Sequence, residues 1–187
     1  MGKFKKVVSR CTSISVIIML SMVVGCSAEN ESMDKNIRTL ETVLKETYKV
    51  PNKELQGILK DLSNYTSIGE EEKINTSNDL DSYLENKYKS HFTEEMYEKY
   101  VGTYALSYIT KSPENSEMKV KEVNVEQKEN MENIYDYTAI IEYKNRDGSE
   151  EKKYEVKGQV NFSENGKIVE FTIRTDNNLY MDIASNQ

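Results

Sequence analysis

The sequence predicts an α+β protein in which N-terminal helices pack on a curved four-stranded antiparallel sheet. Between residues 33 and 101 apolar side chains recur every three or four positions, which is typical of amphipathic helices. Beyond Pro113 the spacing changes to two, as in strands that bury one face. A chain of 187 residues, 37% hydrophobic and 30% charged, has room for one such domain and a targeting segment.

The first 25 residues have the layout of an export signal. Lys3, Lys5, Lys6 and Arg10 precede an uncharged apolar run at residues 11–24, and no acid lies among them. This run is shorter than the roughly 20 residues that a membrane-spanning helix requires. Cleavage is therefore favoured over the alternative, an uncleaved anchor.

Val23, Val24, Gly25 and Cys26 resemble the lipobox of bacterial lipoprotein precursors. The resemblance implies transfer of a diacylglyceryl group to Cys26, cleavage after Gly25, and a polar tether over residues 26–32. Two acyl chains anchor a protein stably because each buried methylene contributes about 0.8 kcal/mol. The expected location is the extracytoplasmic side of the cell membrane. The alternative for Cys26 is a buried thiol beyond an ordinary signal peptide.

Removal of the signal leaves a strongly acidic chain. The full chain has 25 basic and 32 acidic residues, so the loss of four basic residues and no acid leaves 21 against 32, a net charge of −11. Such a surface repels nucleic acid and anionic lipid head groups, so the membrane is a partner only through the lipid. With Cys11 and Cys26 as the only cysteines, no disulfide framework or zinc cluster is predicted. No metal or cofactor is expected.

The domain is predicted to occupy residues 33–187 and to begin with a helical pair within residues 33–65. The first helix has an apolar stripe and ends before Pro51, because a residue that precedes proline disfavours helical geometry. Asn52 is the predicted N-cap of the second helix. The two stripes are Met33, Ile37, Leu40, Leu44 and Tyr48, and Leu55, Ile58, Leu59 and Leu62.

Two more helices are predicted before the strands. The polar residues 67–79 read as a loop, and Asn78 is placed as the N-cap of a third helix. Thr93 precedes two acids and opens a fourth helix, which Gly102 is predicted to end. Residues 103–110 fit either a further helical turn or a short strand.

Four strands follow, and two turns predict their register. Asn165-Gly166 suits a type I′ turn that places Val160 opposite Phe171. Gly148-Ser149 suits a type II′ turn that places Tyr143 opposite Tyr154. Both registers put the same residues of the shared strand on one apolar face. The strands are predicted at residues 118–127, 134–145, 152–163 and 167–175.

Each face of the predicted sheet carries residues that break its pattern. Gly158 stands among larger apolar residues and is a predicted point of bending. On the opposite face, which is mostly polar, Ile140 and Ile168 form a candidate patch for a protein partner.

Residues 78–183, with "LDSYLENKYKSHFTEEMYEKYVGTYALSYI" running into four long strands, resemble the NTF2-like superfamily. The resemblance implies a cystatin-like cone in which helices and sheet enclose a pocket. In enzymes of this superfamily a histidine or an acid lies among tyrosines in that pocket. The helical pair at residues 33–65 is an addition to the simplest family pattern.

His91 is the one histidine and hence a weak catalytic candidate. With Glu94 or Glu95 beside it at the rim of a pocket, it could act as a general base. A surface or turn position without chemistry is the alternative.

Six tyrosines are candidates to line a ligand pocket, with their hydroxyls as orienting groups. In a chain with no tryptophan and four phenylalanines, the same tyrosines could instead form the core. The candidates are Tyr97, Tyr100, Tyr135, Tyr137, Tyr143 and Tyr154.

The sequence therefore favours a membrane-anchored extracytoplasmic module that binds a small ligand or a protein partner. The alternatives are an enzyme that uses the pocket and a homodimeric assembly protein. A hollow interior would favour ligand binding or catalysis. A filled interior would favour a role for the outer surface.

Overall fold

The computed structural model describes residues 25–65, 70–145 and 151–185. The chain divides into two compact units, Met1–Asn36 and Ile37–Gln187, and the second contains the sheet. The predicted signal, residues 1–25, lies outside the described residues except for Gly25. Within the described ranges, no helix combines the length and the apolar character that crossing a membrane requires.

Five helices occur in the described residues. They are α1 (Gly25–Thr47), α2 (Lys53–Tyr65), α3 (Glu70–Tyr88), α4 (Glu94–Tyr100) and α5 (Leu179–Ser185). A 3₁₀ turn, Lys89–His91, joins α3 to α4, and a π-helical turn, Val101–Ala105, continues from α4.

Two helices begin earlier than the apolar pattern indicates. α1 begins at Gly25, so residues 26–32, the predicted tether, have helical backbone. α3 begins at Glu70, so the predicted loop at residues 67–79 is wrong from residue 70 onward, and the cap at Asn78 is wrong as well. Residues 67–69 lie outside the described residues. Polarity alone predicted that loop, but glutamate and lysine are good helix formers. Residues 70–79 contain a single apolar residue, Ile74, so this part of the helix has no apolar period to detect.

Asn52 is confirmed as the N-cap of α2. Its Oδ1 accepts a hydrogen bond from the backbone N–H of Leu55 at 3.2 Å. Its side-chain amide also donates to the Tyr83 hydroxyl of α3 at 2.6 Å. Because Asn52 is only 5% exposed, the cap also fixes α2 against α3.

The sheet is a four-stranded antiparallel meander with the strands in sequence order, which confirms the α+β class. Burial alternates along the central strands, so one face packs against the helices and the other meets solvent. The strands are β1 (Glu117–Gln127), β2 (Ile134–Lys144), β3 (Lys152–Phe162) and β4 (Ile168–Thr175).

The register predicted from Asn165-Gly166 is confirmed at Val160 but not at Phe162, which was predicted to pair with Val169, and the other register is wrong by two residues. Val160 pairs with Phe171 as predicted, whereas Tyr143 pairs with Lys152 instead of Tyr154. A slip of two keeps every side chain on its face, so apolar alternation cannot detect it. Counting outward from Asp147-Gly148, another favoured turn pair that lies outside the described residues, gives the observed register.

The predicted patch of Ile140 and Ile168 on the outer face of the sheet is wrong at Ile168. The register shifts between Asn161 and Phe162, so Phe162 pairs with Ile168 rather than Val169. Ile168 is therefore fully buried, while Val169 is 42% exposed. The Ile168 carbonyl accepts the backbone N–H of Thr93 at 3.0 Å, which joins β4 to the start of α4.

α5 is a short helix that the sequence analysis did not identify. Leu179 and Ile183 are its two fully buried residues, and a seven-residue helix shows too little periodicity to detect. The side chain of Asp176 accepts the backbone N–H of Tyr180 at 3.0 Å and so anchors the first turn.

Candidate functional site

The six tyrosines proposed to line a pocket are all buried, each with at most 7% of its surface exposed. They do not converge on one point. Tyr100 and Tyr137 share a central aromatic cluster, and Tyr143 faces Tyr154 with ring centroids 6.5 Å apart. Tyr135 packs on Phe162, and Tyr97 lies beneath the ammonium group of Lys89.

The central cluster lies between α4 and the sheet. The ring of Tyr100 has its centroid 4.5 Å from Phe92, 5.0 Å from Phe171 and 5.6 Å from Tyr104. Tyr137 stacks on Phe171 from the other side at 5.6 Å. Aromatic rings of the chain itself therefore fill the space between α4 and the sheet.

The hydroxyls of these tyrosines bond within the protein. The Tyr100 hydroxyl lies 2.5 Å from Thr47 Oγ1, and Tyr137 donates to the carbonyl of Thr172 at 3.2 Å. Burial raises the pKa of both phenols, and the charges of neighbouring tyrosines raise it further. Both side chains are neutral at physiological pH, so neither supplies a base.

His91 lies in the 3₁₀ turn between α3 and α4 and is half-buried. Burial lowers its pKa, so the imidazole is neutral at pH 7. In the part of the chain that the structure describes, it forms no hydrogen bond or ion pair. Glu94 pairs with Lys89 at 3.5 Å instead. The arrangement lacks the carboxylate partner on which the catalytic hypothesis depends.

Four further tyrosines belong to the buried core without having been candidates: Tyr48, Tyr83, Tyr88 and Tyr108. Tyr48 packs on Tyr108 with centroids 4.7 Å apart, and the Tyr108 hydroxyl donates to Asp176 at 3.2 Å. Tyr48 lies on the predicted apolar stripe of the first helix. Tyr104 and Tyr108 have the i, i+4 spacing of one helical face, a signal that was present in the sequence.

Cys26 is the second residue of α1. The structure describes its helical backbone only. Its interpretation continues to depend on the lipobox-like sequence.

A groove of about 1030 Å³ lies between α2 and residues 109–117. One wall carries Lys53, Gly57 and Lys60, and the other carries Glu114. Nothing lies within 4 Å of a Cβ built on Gly57, so this wall is open. The groove is large enough to admit a ligand. Side chains of both charge signs line it, so it does not select a ligand by charge.

The outer face of the sheet carries Glu142 among three lysines. The carboxylate lies 3.3 Å from Lys119 Nζ, 3.5 Å from Lys153 and 3.9 Å from Lys121. Burial raises the pKa of Glu142, but the hydrogen bond from Lys119 and the lysine charges outweigh burial and hold the pKa below its usual range. Glu142 thus joins three strands and is not a free acid.

Asp182 is expected to make the fold sensitive to acid. A hydrogen bond of 2.5 Å from the Tyr154 hydroxyl lowers the pKa of Asp182 most. The hydrogen bond and the charge of Lys152 lower it further. The folded pKa lies below the unfolded value of about 3.9, so this stabilisation is complete above that pH and is lost as pH falls through the folded pKa. Asp182→Asn should lower the free energy of unfolding by about 1 kcal/mol at pH 7 and by less at pH 3.

Urea unfolding at the two pH values measures this difference. Asp61→Asn, on an exposed part of α2, is the matched control and should change stability equally at both pH values. An Asp182→Asn cost that does not shrink at pH 3 would contradict the assignment.

Among the described residues, no three histidine, cysteine, aspartate or glutamate side chains gather as a metal site requires. Comparison with family models, curated proteins and solved structures gives no match. The chain is an α+β protein with an aromatic core, and its function must be argued from its own residues.

Proposed function

We propose that the chain is a membrane-anchored extracytoplasmic lipoprotein whose α+β domain, of the NTF2-like and cystatin-like kind, binds a protein partner through its outer surface. The observation that supports this function is the packing around Tyr100, which is fully buried between Phe92 and Phe171. A small-ligand carrier or an enzyme that used a pocket between the helices and the sheet would need that volume to be open.

The sequence before the domain supports the anchored location. Residues 23–26 resemble a lipobox, and the preceding run is too short to span a bilayer. After cleavage the chain carries 21 basic and 32 acidic residues, a net charge of −11, so anionic lipid gives it no electrostatic attraction. Two acyl chains on Cys26 provide the attachment instead.

Cys26→Ala is expected to release the protein from the membrane. Membrane-bound protein should fall by about tenfold or more, because one cysteine carries the whole anchor. Fractionation of a lipidating bacterial host measures retention, and intact mass should show an acylated terminus at Cys26. Cys11→Ala is the matched control and should leave retention unchanged, since Cys11 lies in the cleaved segment. Recovery of unprocessed wild-type protein from Met1 would refute the anchoring proposal.

Cross-linking on intact cells tests the binding function. A short amine-reactive reagent should join the anchored protein to a different protein and give an adduct of defined mass. Adducts that contain only this chain would favour the assembly alternative. A small molecule that stays bound in native mass spectrometry would favour the ligand-binding alternative.

A further inference from the structure

β1 is an edge strand whose outer side is mostly unpaired. The strand order puts β2 on one side of it, and in the described residues the other side has a backbone partner only at Met118, which pairs with Val50. A bulge after Val120 and the nearby Lys119 and Lys121 protect the first half of this edge. The second half, residues 122–127, has no such protection.

The hydrogen bonds show which backbone groups of β1 point outward. Met118 exchanges both backbone bonds with Val50, so its N–H and C=O point away from β2. The bulge adds one residue to β1 and so reverses which residues, odd- or even-numbered, bond to β2. Beyond it, the N–H of Lys128 donates to Ile134 of β2, so even-numbered residues bond to β2. The N–H and C=O groups of the odd-numbered residues Val123, Val125 and Gln127 therefore point to the free edge.

The side chains of this segment alternate as a strand partner would require. Val123 and Val125 share the helix-side face with Ala139 and Tyr137 of β2, yet both remain partly exposed. Glu122, Asn124 and Glu126 are exposed on the opposite face. An added strand would cover the two valines and complete the backbone pairing.

The charge of the edge selects the partner. Four carboxylates, those of Glu122, Glu126, Glu129 and Glu132, border the segment. The one ammonium group among them, Lys128, lies 3.9 Å from Asp136. A second copy that paired antiparallel about Asn124 would set Glu122 against Glu126, which is repulsive. Charge complementarity therefore favours a basic strand.

We propose that residues 122–127 of β1 bind an extended basic segment of another protein as a fifth strand. The segment alternates lysine or arginine, facing the carboxylates, with β-branched residues beside Val123 and Val125. This inference rests on the proposed protein-binding function and names the surface and the partner chemistry.

The test measures fluorescence anisotropy of the full-length chain in neutral detergent with a labelled decapeptide in which lysine alternates with valine or threonine. Val125→Pro removes an outward N–H without removing a bond to β2 and should weaken binding by about tenfold. Val125→Thr, which keeps that N–H, should bind within about twofold of wild type. Circular dichroism checks that each variant is folded.

Charge reversal is a second, independent variant. Glu122→Lys combined with Glu126→Lys should weaken the lysine peptide by about tenfold and create binding of the matched glutamate peptide. A lysine peptide with two central prolines should bind about tenfold more weakly than the parent, because it cannot form a strand. Equal binding of the proline peptide would show attraction to net charge alone and would overturn the proposal.

Three further outcomes overturn the inference. These are no binding of the lysine peptide, full binding by Val125→Pro, and loss of binding in Gly57→Trp, which would place the site in the groove beside α2. The cross-linking experiment distinguishes failure of this inference from failure of the proposed function. If the cross-linked adduct forms in Val125→Pro as in wild type, the protein binds a partner elsewhere. If wild type forms no adduct, the binding function itself fails.

Discussion

Tyr100→Ala is expected to lower the free energy of unfolding by about 4 kcal/mol, the cost of removing a fully buried aromatic ring. Tyr100 is 0% exposed and contacts four other rings, those of Tyr88, Phe92, Tyr104 and Phe171. These rings belong to α3, to the segments that flank α4, and to β4, so the cavity would loosen helices and sheet together. Urea unfolding followed by circular dichroism measures the change.

Two control variants show whether the cost comes from the buried ring, from its hydroxyl, or from the loss of any tyrosine. Tyr100→Phe keeps the ring and loses the bond to Thr47, so a cost of about 1 kcal/mol is expected. Tyr180→Ala removes a tyrosine that is 36% exposed and should cost less than about 1 kcal/mol. If Tyr100→Ala cost no more than Tyr180→Ala, the interior would not be packed and the ligand-binding alternative would regain support.

The sequence predicts the strands well because their signal is local. Alternation over ten residues identifies each strand, and the composition of the chain indicates that tyrosines must help form the core. Neither signal identifies the group to which a tyrosine hydroxyl forms its hydrogen bond. That Tyr137 reaches Thr172, or Tyr154 reaches Asp182, depends on which elements meet after folding.

The two errors in register have different causes. A two-residue slip between β2 and β3 leaves every side chain on its face, so only the turn distinguishes the alternatives. A one-residue bulge does the opposite. It exchanges the faces of Ile168 and Val169, although nothing in the local pattern marks it. The free edge of β1 was equally hidden, because periodicity does not say which strand lies outermost.

Gly158→Ala and Gly57→Ala, the same substitution at two sites, are expected to change stability in opposite directions. A Cβ on Gly158 would lie 2.5 Å from the hydroxyl oxygen and 2.6 Å from Cζ of Tyr137, and closer still to the carbonyl of Thr172. Tyr137 lies opposite Gly158 and crosses it to bond Thr172 of β4. Because one obstacle is backbone, a side-chain rotation cannot relieve the clash.

Gly158→Ala should therefore cost about 3 kcal/mol, at the upper end of the usual cost of overpacking. Gly57→Ala should instead stabilise by about 0.5–1 kcal/mol, because Gly57 lies within α2 with open space around it. Urea unfolding of both variants, alone and combined with Tyr137→Ala, measures the effects. Since Tyr137→Ala removes one of the two obstacles, it should reduce the cost of Gly158→Ala but leave the gain at Gly57 unchanged. Equal effects at the two glycines would mean that Tyr137 does not cross β3 at Gly158.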